Sequence, residues 1–456
     1  MSRLVVVSNR VPIPDKTGAA PAGGLAVALE AALQERGGLW LGWSGQTSET
    51  DEPGPLRTET LGPITYALTD LTRTDVDEYY FGFANRVLWP ICHYRLDLAE
   101  YARREMAGYF RVNRFFAERL APLLKPDDVI WIHDYHLIPL AGELRRMGFK
   151  NRIGFFLHIP WPPADILLAM PVHEEIMRSL SQYDLVGFQT DHDLENFLGC
   201  LKREGMGQAL DEGRIQTEDR IFRGGVYSIG IETSAFAEFA EKAADNPTVR
   251  RTKRSIEDRK LIIGVDRLDY SKGLTQRIDA FERFVVGYPA YHGKVTFLQI
   301  TPKSRSEVPE YEAMQRALAE QAGRVNGSIG AVDWVPIRYI NRSIARPVLA
   351  GLYRLARVGL VTPLRDGMNL VAKEYVAAQD PEDPGVLVLS RFAGAARSMK
   401  GALLVNPYDV EGIAHALSRA LAMPLDERKD RWRVSMDDLL TNDVTRWCDD
   451  FLRDLG

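Results

Sequence analysis

The sequence predicts an α/β chain built on parallel sheets and divided into two similar domains. Short, continuous apolar runs rich in β-branched residues recur along it: Leu4–Val7, Val129–Ile132, Ile153–Leu157, Leu185–Phe188, Leu261–Val265, Val295–Ile300, Val358–Val361 and Val386–Leu389. Runs without polar alternation suit strands buried on both faces. Helix-period stretches lie between them, as in Leu274, Ile278, Phe281 and Val285, spaced four, three and four apart. Strand–helix alternation over the whole length marks parallel sheets with covered faces. So many strands exceed one ordinary sheet, which favours two domains.

Composition agrees. Of 456 residues, 45% are apolar and 26% charged, ordinary globular chemistry that excludes long-range disorder, collagen and coiled coil. The length fits two to four domains at ~100–200 residues each. The net charge of −5 provides no broad electrostatic footprint for nucleic acid. Cys92, Cys200 and Cys448 are far apart. They form no disulfide framework or metal knuckle, so a reduced, cytoplasmic setting is expected. The opening segment has only four apolar residues in a row, Leu4–Val7, too few for a signal sequence. No run of ~18 apolar residues is present to span a membrane.

The boundary is expected near residues 231–258, where the charged stretch Glu241–Lys260 follows a strand-like Val226–Ile231. This divides the chain into domains 1–234 and 235–456. The final helix, about residues 440–456, is a candidate to return to the first domain. Polar Asp211–Arg223 reads as a surface hairpin and Trp432–Leu455 as one amphipathic helix. Arg250, Arg251, Lys253 and Arg254 read as a solvated helix face. No repeat or low-complexity tract appears.

Chemistry-bearing residues gather where the apolar runs end. The first run leads into Ser8-Asn9-Arg10 and then to Gly23-Gly24 ahead of a helix. Glycines there let backbone N–H groups approach a phosphate, although a plain turn is an equal reading. The pair is not GxGxxG, so a nicotinamide site is not indicated. Arg10 sits at a strand's carboxyl end, where α/β ligands collect. The second run ends in His133-Asp134-Tyr135-His136. A carboxylate binding a substrate hydroxyl fits Asp134 better than a histidine–aspartate metal site, because no third cluster with ligand spacing appears. The third run leads to His158, able to polarise a ligand oxygen or to serve as a structural histidine.

In the second half, Leu261–Val265 runs into Asp266-Arg267-Leu268-Asp269-Tyr270-Ser271-Lys272-Gly273. Two cations bracketing a turn before a helix suit a diphosphate, with each charge-assisted bond worth roughly 1.5–3 kcal/mol; salt bridges to Asp266 and Asp269 are the alternative. The run Val358–Val361 leads to Asp366-Gly367-Met368-Asn369-Leu370-Val371-Ala372-Lys373-Glu374. A helix beginning near Asn369 would point the N–H groups of Leu370 and Val371 at an anion. Asp366 in the loop and Glu374 one turn into the helix can both accept sugar hydroxyls.

Taken in order, Ser8–Arg10, Gly23-Gly24, Trp89-Pro90, His133–His136, His158-Ile159-Pro160, Arg267–Gly273, Asp366–Glu374 and Asn406-Pro407 closely resemble the trehalose-6-phosphate synthases of glycosyltransferase family 20. The resemblance covers essentially the whole chain. It implies a GT-B fold, two Rossmann-like domains facing across a cleft. It also implies a retaining transfer of glucose from UDP-glucose to glucose 6-phosphate, giving α,α-trehalose 6-phosphate and UDP. By motif, Arg267 and Lys272 would hold the donor diphosphate in place of a metal, so no cofactor is implied. Gly23 and Gly24 would close over the donor, Asp366 and His158 would meet its sugar, and Glu374 its ribose. Backbone groups from Met368, Asn369, Leu370 and Val371 lie nearby. Ile344 matches a position that contacts the base through its backbone. Arg10 and Arg305 would pair the acceptor's phosphate, with Tyr80 adding a hydroxyl and Asp134 and Trp89 orienting its ring. Relatives form dimers or tetramers, so a homo-oligomer is implied.

The resemblance points to front-face displacement, with Asp134, His158, Arg267, Lys272 and Asp366 as the reaction's residues. The rival readings are a related sugar-phosphate synthase, such as a glucosylglycerol-phosphate synthase, and a catalytically silent sugar-phosphate sensor. The presence of Arg267, Lys272, Asp366 and Glu374 counts against silence. No Asp-x-Asp-x-Thr phosphatase signature appears, so a fused phosphatase is not expected.

Overall fold

The structure is a computed structural model that describes residues 2–12, 24–303 and 309–456. The chain divides into two compact units, Met1–Ser228 with Thr445–Gly456, and Ile229–Val444. Each unit holds one large sheet.

In the first unit the strands are β1 (Leu4–Arg10), β2 (Gly38–Thr47), β3 (Arg57–Leu61), β4 (Ile64–Leu71), β5 (Val129–His133), β6 (Arg152–Phe156), β7 (Leu185–Phe188), β8 (Gly207–Ala209), β9 (Arg214–Thr217) and β10 (Ile221–Val226). They form one sheet in the order β3-β4-β2-β1-β5-β6-β7-β10-β9-β8. Its centre is parallel, with β1 between β2 and β5. Val5, Val6 and Val7 are wholly buried there, as an apolar run covered on both faces requires. The polar segment around 211–223 is a hairpin, with β9 and β10 antiparallel.

In the second unit β11 (Lys260–Val265), β12 (Val295–Ile300), β13 (Ile337–Ile340), β14 (Val358–Val361), β15 (Val386–Ser390) and β16 (Leu403–Val405) form a sheet in the order β13-β12-β11-β14-β15-β16. All five strand pairings in it are parallel. Counted from β11, this is the dinucleotide-binding order, whose direction of winding reverses between the first and fourth strands. Here that switch point lies between β11 and β14. The helix Leu274–Gly287 after β11 buries Leu274, Ile278, Phe281 and Val285, the face its periodicity predicts. Arg250, Arg251, Lys253 and Arg254 are exposed on the helix Pro247–Ile256.

Two elements differ from expectation. The strand-like Val226–Ile231 ends pairing at Val226 and continues as irregular chain. Tyr227 makes one last backbone bond, to Phe188 O at 2.8 Å, and its hydroxyl donates to Asp454 Oδ2 at 2.9 Å. The single helix expected over Trp432–Leu455 is two, Leu425–Thr441 and Val444–Leu455. Asn442 leaves the helical region at φ −115° and ψ 57°, and Val444 N donates to Ile231 O at 3.1 Å. The chain around residue 230 presses into the break: a Cβ on Gly230 would lie 2.3 Å from the Asp443 carbonyl carbon.

The helix Val444–Leu455 packs on the first unit's sheet at a floor made by two glycines. A Cβ on Gly154 or on Gly187 would lie 2.7 Å from the Phe451 ring. Phe451 is wholly buried and stacks on Trp131 with centroids 4.7 Å apart. Small residues in β6 and β7 thus make room for an aromatic arriving from the far end of the sequence. Phe451→Ala is expected to lower stability by about 3–5 kcal/mol, and Gly187→Ala by about 1–3 kcal/mol through overpacking. Denaturant unfolding of both variants checks this; unchanged midpoints would remove the glycine floor as the cause of docking.

Candidate active site

In the second unit Arg267 and Lys272 follow the carboxyl end of β11 and Asp366–Val371 that of β14, on either side of the switch point. Their common anchor is Arg277, from the helix after β11, which is wholly buried. Its guanidinium pairs with Asp266 at 2.7 Å. It also donates to Thr362 Oγ1 at 3.1 Å, Gln299 Oε1 at 3.2 Å and Lys272 O at 3.3 Å. One buried cation therefore ties together the ends of β11, β12 and β14. Burial raises the Asp266 carboxyl pKa, opposed by Arg277 and Lys272.

The loop after β11 turns at Gly273, whose φ is +62°. A Cβ there would lie 2.4 Å from Thr362 O, so both the turn and the close approach of the neighbouring loop require glycine. Arg267 is exposed, whereas Lys272 is buried. Lys272 Nζ lies 2.6 Å from Asp366 Oδ2, and the same oxygen accepts from Asn369 Nδ2 at 3.0 Å. Two residues expected to serve different parts of a ligand are thus an ion pair. The ammonium retains further donors for a phosphate.

Asn369 adopts φ +77° and caps the helix Leu370–Ala377, its Oδ1 accepting from Ala372 N at 3.2 Å. Asparagine tolerates this left-handed region better than most side chains. The cap leaves the N–H groups of Leu370 and Val371 directed out of the helix start. Met368 is buried, and its carbonyl accepts from Ala395 N at 2.8 Å. Glu374 is half-buried. Burial pushes its carboxyl up to about 7, opposed by Arg346. Its neighbour Lys373 is buried and donates to Ile229 O at 2.7 Å, a structural role. Ile344 is half-buried in the loop between β13 and the helix Arg346–Leu355.

In the first unit Arg10, Asp134 and His158 sit at the carboxyl ends of β1, β5 and β6, whereas Tyr80 and Trp89 lie in the helical segments Val76–Leu88 and Trp89–Cys92. Arg10 is exposed and lies 5.9 Å from the Trp43 ring, over Gly45, where a Cβ would approach its Nη2 to 2.4 Å. Arg10 lines a cavity of about 960 Å³ with Pro12, Ser44, Arg57 and Glu59. Trp43 meets Tyr80 at 5.6 Å, and Tyr80 stacks on His136 at 5.8 Å. Arg10 and Tyr80, 70 positions apart in the sequence, are thereby joined through Trp43, a residue that its sequence context did not single out.

Asp134 has φ +76°, a conformation rare for a non-glycine residue and characteristic of functional sites. Its N–H donates to Phe156 O at 2.8 Å, and its Oδ1 accepts from His158 N at 3.2 Å. β5 and β6 are parallel neighbours, which brings Asp134 and His158 together. Trp89 is buried, its ring 4.1 Å from His93 and 5.6 Å from Tyr135. Burial pushes the His158 imidazole down to about 3, so it is neutral at physiological pH. Its Nε2 lies 3.1 Å from His133 Nδ1. This bond engages the edge of His133 that faces His158. Among the described residues the one grouping with metal-ligand spacing is His173, Glu174 and Glu204, elsewhere in the unit. Gly24 opens the helix Gly24–Arg36; Gly23 and Arg305 lie outside the described residues.

The chain matches the profile described as "Glycosyltransferase family 20" over residues 2–456. It is 76% identical over 456 residues to a protein of Sinorhizobium fredii (strain NBRC 101917 / NGR234) named trehalose-6-phosphate synthase, covering 100% of this chain and 98% of the relative. A crystal structure of a UDP-forming α,α-trehalose-phosphate synthase from Burkholderia xenovorans in complex with glucose-6-phosphate superposes with a TM-score of 0.96 at 51% identity, covering 100% of both chains. A trehalose-6-phosphate enzyme from E. coli bound with UDP-2-fluoro glucose superposes with a TM-score of 0.94 at 48% identity, covering 100% of this chain and 99% of that one. Matched by the family profile over residues 2–456 and by relatives along its whole length, this chain belongs to glycosyltransferase family 20.

Proposed function

We propose that this chain transfers glucose from UDP-glucose to glucose 6-phosphate with retention, forming α,α-trehalose 6-phosphate and UDP. The observation that carries this reading is the Lys272–Asp366–Asn369 cluster at the switch point of a nucleotide-binding sheet. The relatives crystallised with a UDP-glucose analogue and with glucose 6-phosphate support the two substrates.

The roles follow from charge and position. Arg267 and Lys272 neutralise the departing diphosphate, taking the place of a divalent cation. Asp366 and the helix start at Leu370 and Val371 hold the donor glucose and its phosphates. The Ile344 backbone meets the base and Glu374 the ribose hydroxyls. Gly23 and Gly24 close over the donor. Arg10 and Arg305 pair the acceptor phosphate, while Tyr80, Trp89 and Asp134 orient the acceptor ring. His158, being neutral, offers the donor sugar a hydrogen bond without adding charge. The acceptor's anomeric hydroxyl attacks C1 as the C1–O bond to the β-phosphate breaks on the same face. The hydroxyl proton passes to the leaving phosphate oxygen. The protein supplies orientation and preorganised positive charge.

Lys272→Ala and Arg267→Ala are each expected to lower kcat by roughly 10²–10³ with circular dichroism unchanged; near-normal turnover in both would refute the diphosphate assignment. Arg305→Ala should raise the KM for glucose 6-phosphate far more than that for UDP-glucose. Equal effects would sink the acceptor site, and a preference for glycerol 3-phosphate would replace the acceptor itself. Glu374 has a raised pKa, so it is mostly protonated at pH 6 and mostly ionised at pH 8. A carboxylate accepts ribose hydroxyls better than its acid, so UDP should bind more tightly at pH 8 than at pH 6. The difference should vanish in Glu374→Gln. Titration calorimetry at both pH values measures this.

A further inference from the structure

His133 is wholly buried behind His158, and the bond between them, from Nδ1 of one ring to Nε2 of the other at 3.1 Å, holds a single proton. Both imidazoles are neutral: burial pushes His158 down to about 3 and His133 well below its ordinary value. A neutral imidazole has one N–H and one lone pair. Two arrangements satisfy the bond. In one, His133 Nδ1–H donates, which leaves a lone pair on His133 Nε2 and the His158 proton on Nδ1. In the other, His158 Nε2–H donates, which leaves an N–H on His133 Nε2 and a lone pair on His158 Nδ1.

The far side of His133 decides between them. Its ring centroid lies 4.5 Å from Trp131 and 6.2 Å from Trp447, and the two indoles are 4.8 Å apart. His133 Nε2, Trp131 Nε1 and Trp447 Nε1 are all buried and lack hydrogen-bond partners among the described residues. Both indole nitrogens are donors only. An N–H on His133 Nε2 would put three donors and no acceptor in one apolar pocket. A lone pair there instead gives the pocket one acceptor beside its two N–H donors, the lower-energy choice at low dielectric. Trp447 belongs to the C-terminal helix, so the docking of that helix also sets the polarity of the pocket.

We propose that His133 is a positioning residue that fixes the tautomer of His158, so that His158 carries its proton on Nδ1 and meets an oxygen of the donor sugar as a hydrogen-bond donor. The role in the reaction rests on the reading of His158 as a donor-sugar contact; the tautomer itself does not.

The test is a long-range ¹H–¹⁵N correlation spectrum of the full chain labelled with ¹⁵N-histidine, in which His158→Gln identifies the signals of His158. The expected result is a neutral His158 protonated on Nδ1. In His133→Phe the His158 proton should move to Nε2, and kcat with UDP-glucose and glucose 6-phosphate should fall by roughly tenfold or more. In His133→Asn the side-chain amide takes the place of Nδ1, and both the tautomer and kcat should be kept. A His158 proton found on Nε2 in the unchanged protein overturns the proposal, whether or not the variants fold. So does a His158 tautomer that ignores His133→Phe. Unchanged kinetics in His158→Gln with the Nδ1 proton in place would instead overturn the donor-sugar reading and the catalytic role resting on it.

Discussion

The candidate donor site depends on one buried cation. Arg277 has no access to solvent and bonds to the ends of three strands at once, through Asp266, Gln299 and Thr362. A guanidinium taken out of water is tolerable only with such complete pairing; removing one partner of a buried pair costs about 3–5 kcal/mol. Its further bond to Lys272 O fixes the backbone of the residue whose ammonium reaches Asp366. The two loops are therefore held at the switch point by a group that would not itself touch a ligand. This is preorganisation in the electrostatic sense: charged groups are set in place before charge develops between them.

A comparable constraint operates in the other unit, where it is steric and aromatic. Gly154 and Gly187 leave a hollow on the sheet that only a residue arriving from outside can fill, and Phe451 fills it. The same helix delivers Trp447 to the ring cluster around His133, Phe156 and His158. The last dozen residues thus complete the floor beneath the carboxyl ends of β5 and β6. Asp134 is strained on that floor, with its amide and carboxylate both engaged by β6 and the residues after it. Strain of this kind persists only where surrounding contacts over-determine the backbone.

Much of this could be read from residue order. All eight apolar runs singled out in the sequence coincide with strands, three with identical bounds and five extended or trimmed by one to three residues at the ends. Because α/β ligands collect at carboxyl ends, the residues following those runs stood out as candidates. Other features left no such trace. β2, with its mixture of glycine, tryptophan and serine, carries no apolar run longer than Leu39–Leu41, so Trp43 and its link between Arg10 and Tyr80 leave no mark in the pattern. The break at Asn442 interrupts a stretch whose periodicity looks unbroken. It is imposed by the chain near Gly230, more than 200 residues earlier.

By itself, then, the order of residues determined where strands form and which side chains stand at their ends. Burial on both faces demands local apolar runs, and local runs are visible in one dimension. Only the tertiary structure decided that Lys272, 94 positions from Asp366, and Asn369 donate to one oxygen of that aspartate; that His133 lies behind His158; and that the terminal helix covers two glycines of a distant sheet. Each of these is a contact between segments with no sequence relation. Each is selected by the packing and polar satisfaction of the whole unit, for which no local pattern stands proxy.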